Sequence, residues 1–400
     1  MLKSIKINNF RWLAWNIEIN LKIDKRTHKQ SDDHSFVSFS ERENISKLLC
    51  IYWPNAIWKT SILEAIFLVK NIILGNFQIF MNFNISKHKF FIDRPIEFEL
   101  IFWYKSKLFK YQLKLDHKDL KWVVTYEKLT KIENKKQNVL FVRSGKNIKI
   151  SWMSSDQIKK LNIHPQISLI ASCYLFLKDI TEVYEYFQKI SLLEPLNIFK
   201  WYWSPHYTLL PKWLEIIFSN QNLKKKLIDY FKKADLTITD IIIEKVLLPW
   251  KGQRYTLNFK HNINWKEFDL NISEESSGTL EFLWYLSYFL YLQINWGGVI
   301  LIDELDSHLH PYLLNNLIKL VISEVNKNIQ VIFTTHDISI LYEKSLAKDQ
   351  IWFIDRKEDS KLDEKIFYKL SDFGGQIRDE YDWLKMYMLG NVGAVPFLKD

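Results

Sequence analysis

Asp303 and Glu304 stand side by side at the end of the apolar run "GVILIDELD". Four apolar residues closing on two carboxylates describe a buried strand that presents acidic groups at its C-terminal end, the edge where α/β sheets take ligands. Asp303 suits the shell of a Mg²⁺ ion, and Glu304 suits a base that orients an attacking water. About thirty residues on, "QVIFTTHD" reads as a second buried strand ending at His336, placed to touch a terminal phosphate from the neighbouring strand. Ahead of the acidic strand, "SEESSGTLEFL" opens a helix, and Ser277 with Gly278 would offer a hydroxyl and free N–H groups to an anion.

The fourth group is "IYWPNAIWKTS", which runs from an apolar strand into a helix. Glycine in place of Trp53 and Trp58 would make it G-x-x-x-x-G-K-[ST], in the strand–loop–helix context that this phosphate-binding motif requires. The glycines matter because backbone N–H groups must turn inward around the phosphates, in a conformation that a Cβ obstructs. Lys59 would reach the β- and γ-phosphates, Thr60 would coordinate Mg²⁺, and Asn55 and Ser61 belong to the same phosphate-facing stretch. With tryptophan at 53 and 58, two indoles occupy the volume of the nucleotide. Composition bears on this. At a usual usage of about 7%, a chain of this length should hold roughly 28 glycines. It holds 10, beside 16 tryptophans, and several tryptophans sit in turn-like settings such as "FRWLAWN" and "NWGGV". The codons GGA and UGA differ by one base, so the tryptophans at 53 and 58 read as UGA glycine codons translated with a tryptophan table.

Elements able to position these groups are legible around them. "KSIKINNF", "IEINLKI" and "KLLCIY" read as strands, "KTSILEAIFLVKNIIL" as a helix, and "IEFELIFW", "KYQLKL" and "WVVTYE" as strands of an antiparallel unit. Residues from about 154 to 235 read as helical, including "ISLIASCYLFL" and "TEVYEYFQKISLL". Strands then alternate with helices to "QIWFID", which predicts a mainly parallel sheet. The fold class is α/β, with a parallel central sheet, an antiparallel β-subdomain and an inserted helical lid. Three regions are expected: 1–150, an N-terminal lobe with the lysine loop and the β-subdomain; 151–235, a helical insertion; and 236–400, a C-terminal lobe with the acidic strand and His336.

A 48% hydrophobic share against 25% charged is globular material, and no tract is polar and repetitive enough for disorder. The longest apolar stretch, "FLWYLSYFLYLQI", runs into Glu281 and is too short to span a bilayer, and the start lacks a signal-peptide core, so the expected place is the cytoplasm without a membrane partner. Cys50 and Cys173 have no metal-ligand spacing and read as reduced core residues. The net charge of +9 is spread along the chain in short lysine clusters, a pattern of solvated surface that also admits a DNA-handling role.

Taken in order, "WPNAIWKT", "EESSGT", "VILIDELDSHLHP", "TTHD", "DQIWFID" and "YMLGNVGAVPF" resemble the AAA-type, ABC-like ATP/GTP phosphatases related to OLD and abortive-infection proteins. The resemblance spans nearly the whole chain and departs from the family at Trp53, Trp58 and Ile57. It implies a P-loop NTPase of the ABC/SMC-like type that hydrolyses ATP or GTP with Mg²⁺. Lys59 and Thr60 would hold phosphate and Mg²⁺, Asp303 the Mg²⁺, Glu304 would act as catalytic base, and His336 would sense the γ-phosphate. Ser277 and Gly278 would act in trans across a homodimer or higher homo-oligomer. Relatives of this kind power or gate antiphage effectors, often separately encoded nucleases, and no nuclease triad follows His336 here. Two other functions remain open at this point: a scaffold that binds no nucleotide because the tryptophans are genuine, and a repair-type ATPase acting on DNA.

Overall fold

The computed structural model describes residues 1–14, 17–23, 34–40, 43–52, 59–76, 78–119, 121–161, 163–193, 211–234, 237–248, 252–295, 297–323, 326, 328–343, 346–356, 365–376 and 383–390. The first third of the chain supplies β1 (Leu2–Asn8), β2 (Ile17–Asn20), β3 (Lys22–Ile23), β4 (Phe36–Ser40), β5 (Glu43–Ser46), β6 (Leu48–Tyr52) and helix α1 (Lys59–Ile73). A short helix α2 (Ile79–Asn82) leads to five strands in succession: β7 (Ile96–Tyr104), β8 (Lys107–Lys118), β9 (Lys121–Glu133), β10 (Lys136–Ser144) and β11 (Asn147–Ile150). Alternation dictates their form. β7 buries every second residue over most of its length, and Glu97 and Glu99 on its outer face pair across the ladder with Lys114 and Lys110 of β8 at 2.6 and 2.9 Å. With β1 and β2 these strands make an antiparallel sheet ordered β11-β10-β9-β8-β7-β1-β2.

Next come α3 (Ser155–Lys160), α4 (Leu169–Cys173), α5 (Lys178–Gln188), β12 (Ile190–Leu193), α6 (Lys212–Ser219) and α7 (Gln221–Lys233). A three-stranded sheet of β13 (Ile238–Leu248), β14 (Gly252–Ile263) and β15 (Lys266–Asn271) follows. The remainder is α8 (Ser277–Ile294), β16 (Gly298–Ile302), α9 (Pro311–Ile322), β17 (Ile329–Thr335), α10 (Ser339–Glu343), β18 (Ile351–Arg356), β19 (Lys365–Lys369) and α11 (Trp383–Met388).

The central sheet runs β12-β16-β17-β6-β18-β19, parallel throughout except for β19. Its strands are apolar on both faces, as a sheet covered on both sides requires. Leu48, Cys50 and Tyr52 of β6 join Ile300, Ile302, Val331 and Phe333 in one core, under α8 and α9. Leu49 and Ile51 join Val299, Leu301 and Ile332 in a second, shared with α1 and the antiparallel sheet. Cys50 and Cys173 are both free and buried, as expected.

Two expectations are corrected. "ISLL", read as the tail of a helix, is the edge strand β12, in register from Ile190 against Val299 to Leu193 against Ile302. That pairing needs a strand distant in sequence, which local periodicity does not display. It also needs glycine at 298, where a Cβ would lie 2.6 Å from the Lys189 carbonyl oxygen. "ISLIASCYLFL" forms only the one-turn helix α4, started by Ser168, whose hydroxyl accepts from the Ile170 N–H at 3.0 Å. The described residues of 151–235 are mostly helical. α4 and α5 pack into the core shared with α1, whereas α6 and α7 pack into the core under α8, where the rings of Trp213 and Trp284 meet edge-on at 4.7 Å.

The β14–β15 hairpin closes through a two-residue loop with Asn264 at φ +50° and Trp265 at φ +64°. Such turns favour Asn-Gly, because glycine alone enters the left-handed region without steric cost. The Trp265 side chain is 95% exposed and packs on little, unlike the buried Trp284 and Trp352.

Candidate active site

β16 stops at Ile302 and delivers Asp303, half-buried, to the C-terminal edge of the central sheet. The Asp303 carboxylate accepts two hydroxyl hydrogen bonds, one on each oxygen. Thr60 Oγ1, in the first turn of α1, donates to Oδ2 at 2.6 Å, and Thr334 Oγ1, near the end of β17, donates to Oδ1 at 2.5 Å. Because β17 lies between β16 and β6, Thr334 bridges the acidic strand and the strand that leads into α1. Thr334 Oγ1 also accepts from the Glu304 N–H at 2.8 Å, and the Leu305 N–H donates to the Thr334 carbonyl at 3.0 Å. These bonds hold Glu304 in a left-handed conformation, φ +50°, which costs a non-glycine residue roughly 1–2 kcal/mol. Its side chain is exposed at the sheet edge.

His336 follows β17 directly and is exposed, and its backbone N–H donates to the Asp306 carboxylate at 3.2 Å. Asp337 then accepts from the Ser339 N–H at 2.8 Å and starts the next turn, while the Tyr52 hydroxyl at the end of β6 donates to the Asp337 carbonyl at 2.8 Å. Burial lifts the Tyr52 phenol well above its ordinary pKa, so it stays a donor. The ends of β6, β16 and β17 are thereby tied together around Asp303.

Ser276, not Ser277, is the N-cap of α8, its hydroxyl accepting from the Thr279 N–H at 3.1 Å. Ser277 is the first helical residue and is exposed. A Cβ on Gly278 would lie 2.6 Å from the His308 carbonyl oxygen, so this glycine lets α8 approach the loop after the acidic strand within the same subunit. One turn on, the buried Glu281 places Oε1 3.2 Å from His308 Nδ1 and links α8 to that loop a second time. Sequence reasoning missed Thr334, Asp306, Glu281 and His308. The one signal was chemical: hydroxyls and carboxylates inside otherwise apolar runs, as in "FTTHD" and "TLEFL".

Trp53, Asn55 and Trp58 lie outside the described residues. Lys59 begins α1, and its side chain is likewise outside them. Ser61 is fully buried, and its hydroxyl has no hydrogen-bond partner among the described residues. Thr60, Asp303, Glu304 and His336 are gathered at one sheet edge, with Ser277 and Gly278 at the start of the helix packed behind it. The hydroxyl of Thr60 and the carboxylate of Asp303 are hard oxygen donors that converge, as Mg²⁺ requires. Among the described residues no three His, Cys, Asp or Glu side chains form a metal cluster. Mg²⁺ needs none, since it keeps several waters and is bound through one or two carboxylates and substrate phosphates.

Residues 208–341 match the family described as "AAA domain, putative AbiEii toxin, Type IV TA system". This stretch, about a third of the chain, holds Ser277, Gly278, Asp303, Glu304 and His336 but not Lys59 or Thr60. No curated protein matches the chain in sequence. Among solved structures, an SmcHead bound to the C-winged helix domain of ScpA is 12% identical, with 93% of this chain and 99% of that one covered, at a TM-score of 0.44. The SMC head domain from Thermotoga maritima is 13% identical, covers 92% and 98%, and scores 0.40. The Smc head domain with an extended coiled coil, bound to the C-terminal domain of ScpA derived from Pyrococcus furiosus, is 11% identical, covers 98% and 99%, and also scores 0.40. Likeness at this level leaves the chemistry to the site's own geometry. No helix among the described residues is long and apolar enough to cross a membrane.

Proposed function

We propose that this chain is an ABC-like ATPase that binds ATP or GTP with Mg²⁺ at the C-terminal edge of its central sheet and hydrolyses it. One observation carries the reading: a threonine in the first turn of the helix after one strand shares a carboxylate at the end of another, with Thr334 locking the two together. Thr60 and Asp303 would hold Mg²⁺, which when bound neutralises charge that develops on the transferring phosphoryl group. Lys59 would serve the β- and γ-phosphates from the N-terminus of α1, where the helix dipole favours an anion. Glu304 takes the proton of the attacking water, its backbone pinned by Thr334 so that the carboxylate stands at the open edge. His336 contacts the γ-phosphate from the neighbouring strand.

Ser277 of a second copy, at the start of an 18-residue helix, completes the phosphate site, so the working unit is a homodimer or a higher homo-oligomer. The match to a family described by an AbiEii toxin supports a role in driving or gating a separately encoded antiphage effector such as a nuclease. Steady-state hydrolysis tests the chemistry. The Trp53→Gly/Trp58→Gly protein should hydrolyse ATP only with Mg²⁺, and adding Glu304→Gln should slow turnover by several orders of magnitude while nucleotide binding is retained. Unchanged turnover in that variant would remove Glu304 from the mechanism.

A further inference from the structure

A cavity outside the acidic site lies in the antiparallel lobe. It measures about 910 Å³ and opens between the β8–β9 turn, the β10–β11 turn and the segment 155–166. That volume is in the range of roughly 300–1,000 Å³ that small-molecule sites occupy. The lining has two tiers. Half-buried Val123, Ile148, Ile158 and Ile163 make an apolar floor, and exposed Lys118, Lys121, Lys146 and Lys159 make the rim, with Asp119 as the carboxylate among them. Among the described residues only Lys159 of the four lysines meets a carboxylate, that of Asp156 at 3.8 Å.

The back of the cavity is unusual. Arg143 is 4% exposed, and its guanidinium donates to two neutral carbonyls, Ile167 at 2.8 Å and Pro165 at 3.2 Å. Its Nε is buried with no partner among the described residues. The nearby carboxylate of Glu127 is engaged elsewhere, by Tyr111, Ser168 and the Leu169 N–H. The Glu127 charge favours the Arg143 cation from nearby without a direct hydrogen bond, and burial still opposes that cation. Floor, rim and back together describe a site that takes an apolar body and pulls its charged end outward to lysines. Among the described residues no Phe, Tyr or Trp side chain lines it, so they offer none of the stacking platforms of a single-strand nucleic-acid channel.

We propose that this cavity binds a small organic anion, an aliphatic body carrying a carboxylate or phosphate head, with the body on Val123, Ile148, Ile158 and Ile163 and the head on the lysine rim. The proposal is independent of nucleotide hydrolysis. Its test is a fluorescence titration of the full chain with 1-anilinonaphthalene-8-sulfonate, followed by displacement with decanoate, decyl phosphate and neutral decanol.

One reporter site is expected, displaced by the two anions and not by decanol; the better of the two identifies the head group. Lys121→Glu/Lys146→Glu should weaken reporter binding about tenfold or more, since two exposed attractive charges become repulsive. Ile158→Glu, at a half-buried position on α3, should abolish it, and far-ultraviolet circular dichroism should show both variants folded. Equal binding by both variants, or equal displacement by decanol, would overturn the proposal. Stoichiometric displacement by a thymidine oligonucleotide, lost steeply with salt, would overturn it in favour of a nucleic-acid surface.

Discussion

Two carboxylates in this molecule are each held by a pair of hydroxyls, and they differ in everything else. Glu127, on β9, is fully buried and accepts from Tyr111 at 3.0 Å, Ser168 at 2.5 Å and the Leu169 N–H at 2.9 Å, where it meets the N-terminus of α4. Burial nevertheless lifts its pKa above the ordinary carboxylate value, the donors and Arg143 only partly opposing that rise. Asp303 accepts from Thr60 and Thr334 but stands half-buried at the open end of a parallel sheet, with the left-handed Glu304 beside it. Glu127 is enclosed on every side, and its bonds fasten β9 to the 168–169 turn. Asp303 keeps acceptor capacity facing an open edge, and its bonds bring two strand ends and a helix start to one point. Under the proposed function, access rather than hydrogen-bond count separates Asp303 from the structural Glu127.

The sharpest way to break this comparison is to neutralise each carboxylate in turn. Asp303→Asn should lower Mg²⁺-dependent hydrolysis by roughly a thousandfold, because it removes the charge that would hold the metal in the proposed function. Its urea-unfolding free energy should change by less than about 1 kcal/mol, since the amide still accepts one of the two hydroxyl bonds at a half-exposed site. Equal losses of stability and turnover would make Asp303 a second Glu127.

Glu127→Gln should do the reverse. It should cost about 3 kcal/mol by turning an amide NH₂ toward buried donors and leaving Arg143 without its nearby charge, with turnover per folded molecule unchanged. The deficit should also depend on pH. Because the folded pKa of Glu127 is raised, its contribution is fully present below the unfolded value of 4.5 and declines as pH rises through the folded value. The parent therefore loses part of its advantage over Glu127→Gln as pH rises from 4.5 through the folded value. A deficit that grows with pH instead would mean that the pocket holds the ionised form more firmly than water does.

The smallest effects should come from a matched pair that removes one hydroxyl from each carboxylate. Tyr111→Phe should cost about 1 kcal/mol in urea unfolding and leave turnover alone. Thr334→Val should cost a similar amount but slow hydrolysis about tenfold, since it frees both Asp303 and the Glu304 backbone. Identical behaviour of the two variants would erase the distinction.

Much of this site could be read before any coordinates. "GVILIDELD" combines a buried-strand pattern with a polar stop, and "KTSILEAIFLVKNII" has the length of a helix, so Asp303 and Thr60 could be assigned to element ends. Their meeting could not, because it depends on β17 entering between β16 and β6, and strand order has no local signature. Thr334 was hidden for the same reason: a hydroxyl in a buried strand has no evident purpose until its acceptor arrives from another strand. β12 was misread because four residues after a helix continue its apolar phase, and only Val299 and its neighbours select the extended form. The glycine-like role of some tryptophans has a structural counterpart at Trp265, whose left-handed backbone suits glycine. Trp53 and Trp58 lie outside the described residues, and for them the question is one for binding.

The most direct test of the central claim, that Thr60 and Asp303 mark a nucleotide site, is an equilibrium titration with a fluorescent ATP analogue in the presence and absence of Mg²⁺. It should be run on the protein with tryptophan at 53 and 58, on Trp53→Gly/Trp58→Gly, and on the latter carrying Thr60→Ala. The account predicts micromolar, Mg²⁺-dependent binding by the double-glycine protein, at least tenfold weaker binding with Thr60→Ala, and none when both indoles fill the loop. Failure of the double-glycine protein to bind, while it remains folded, would contradict it.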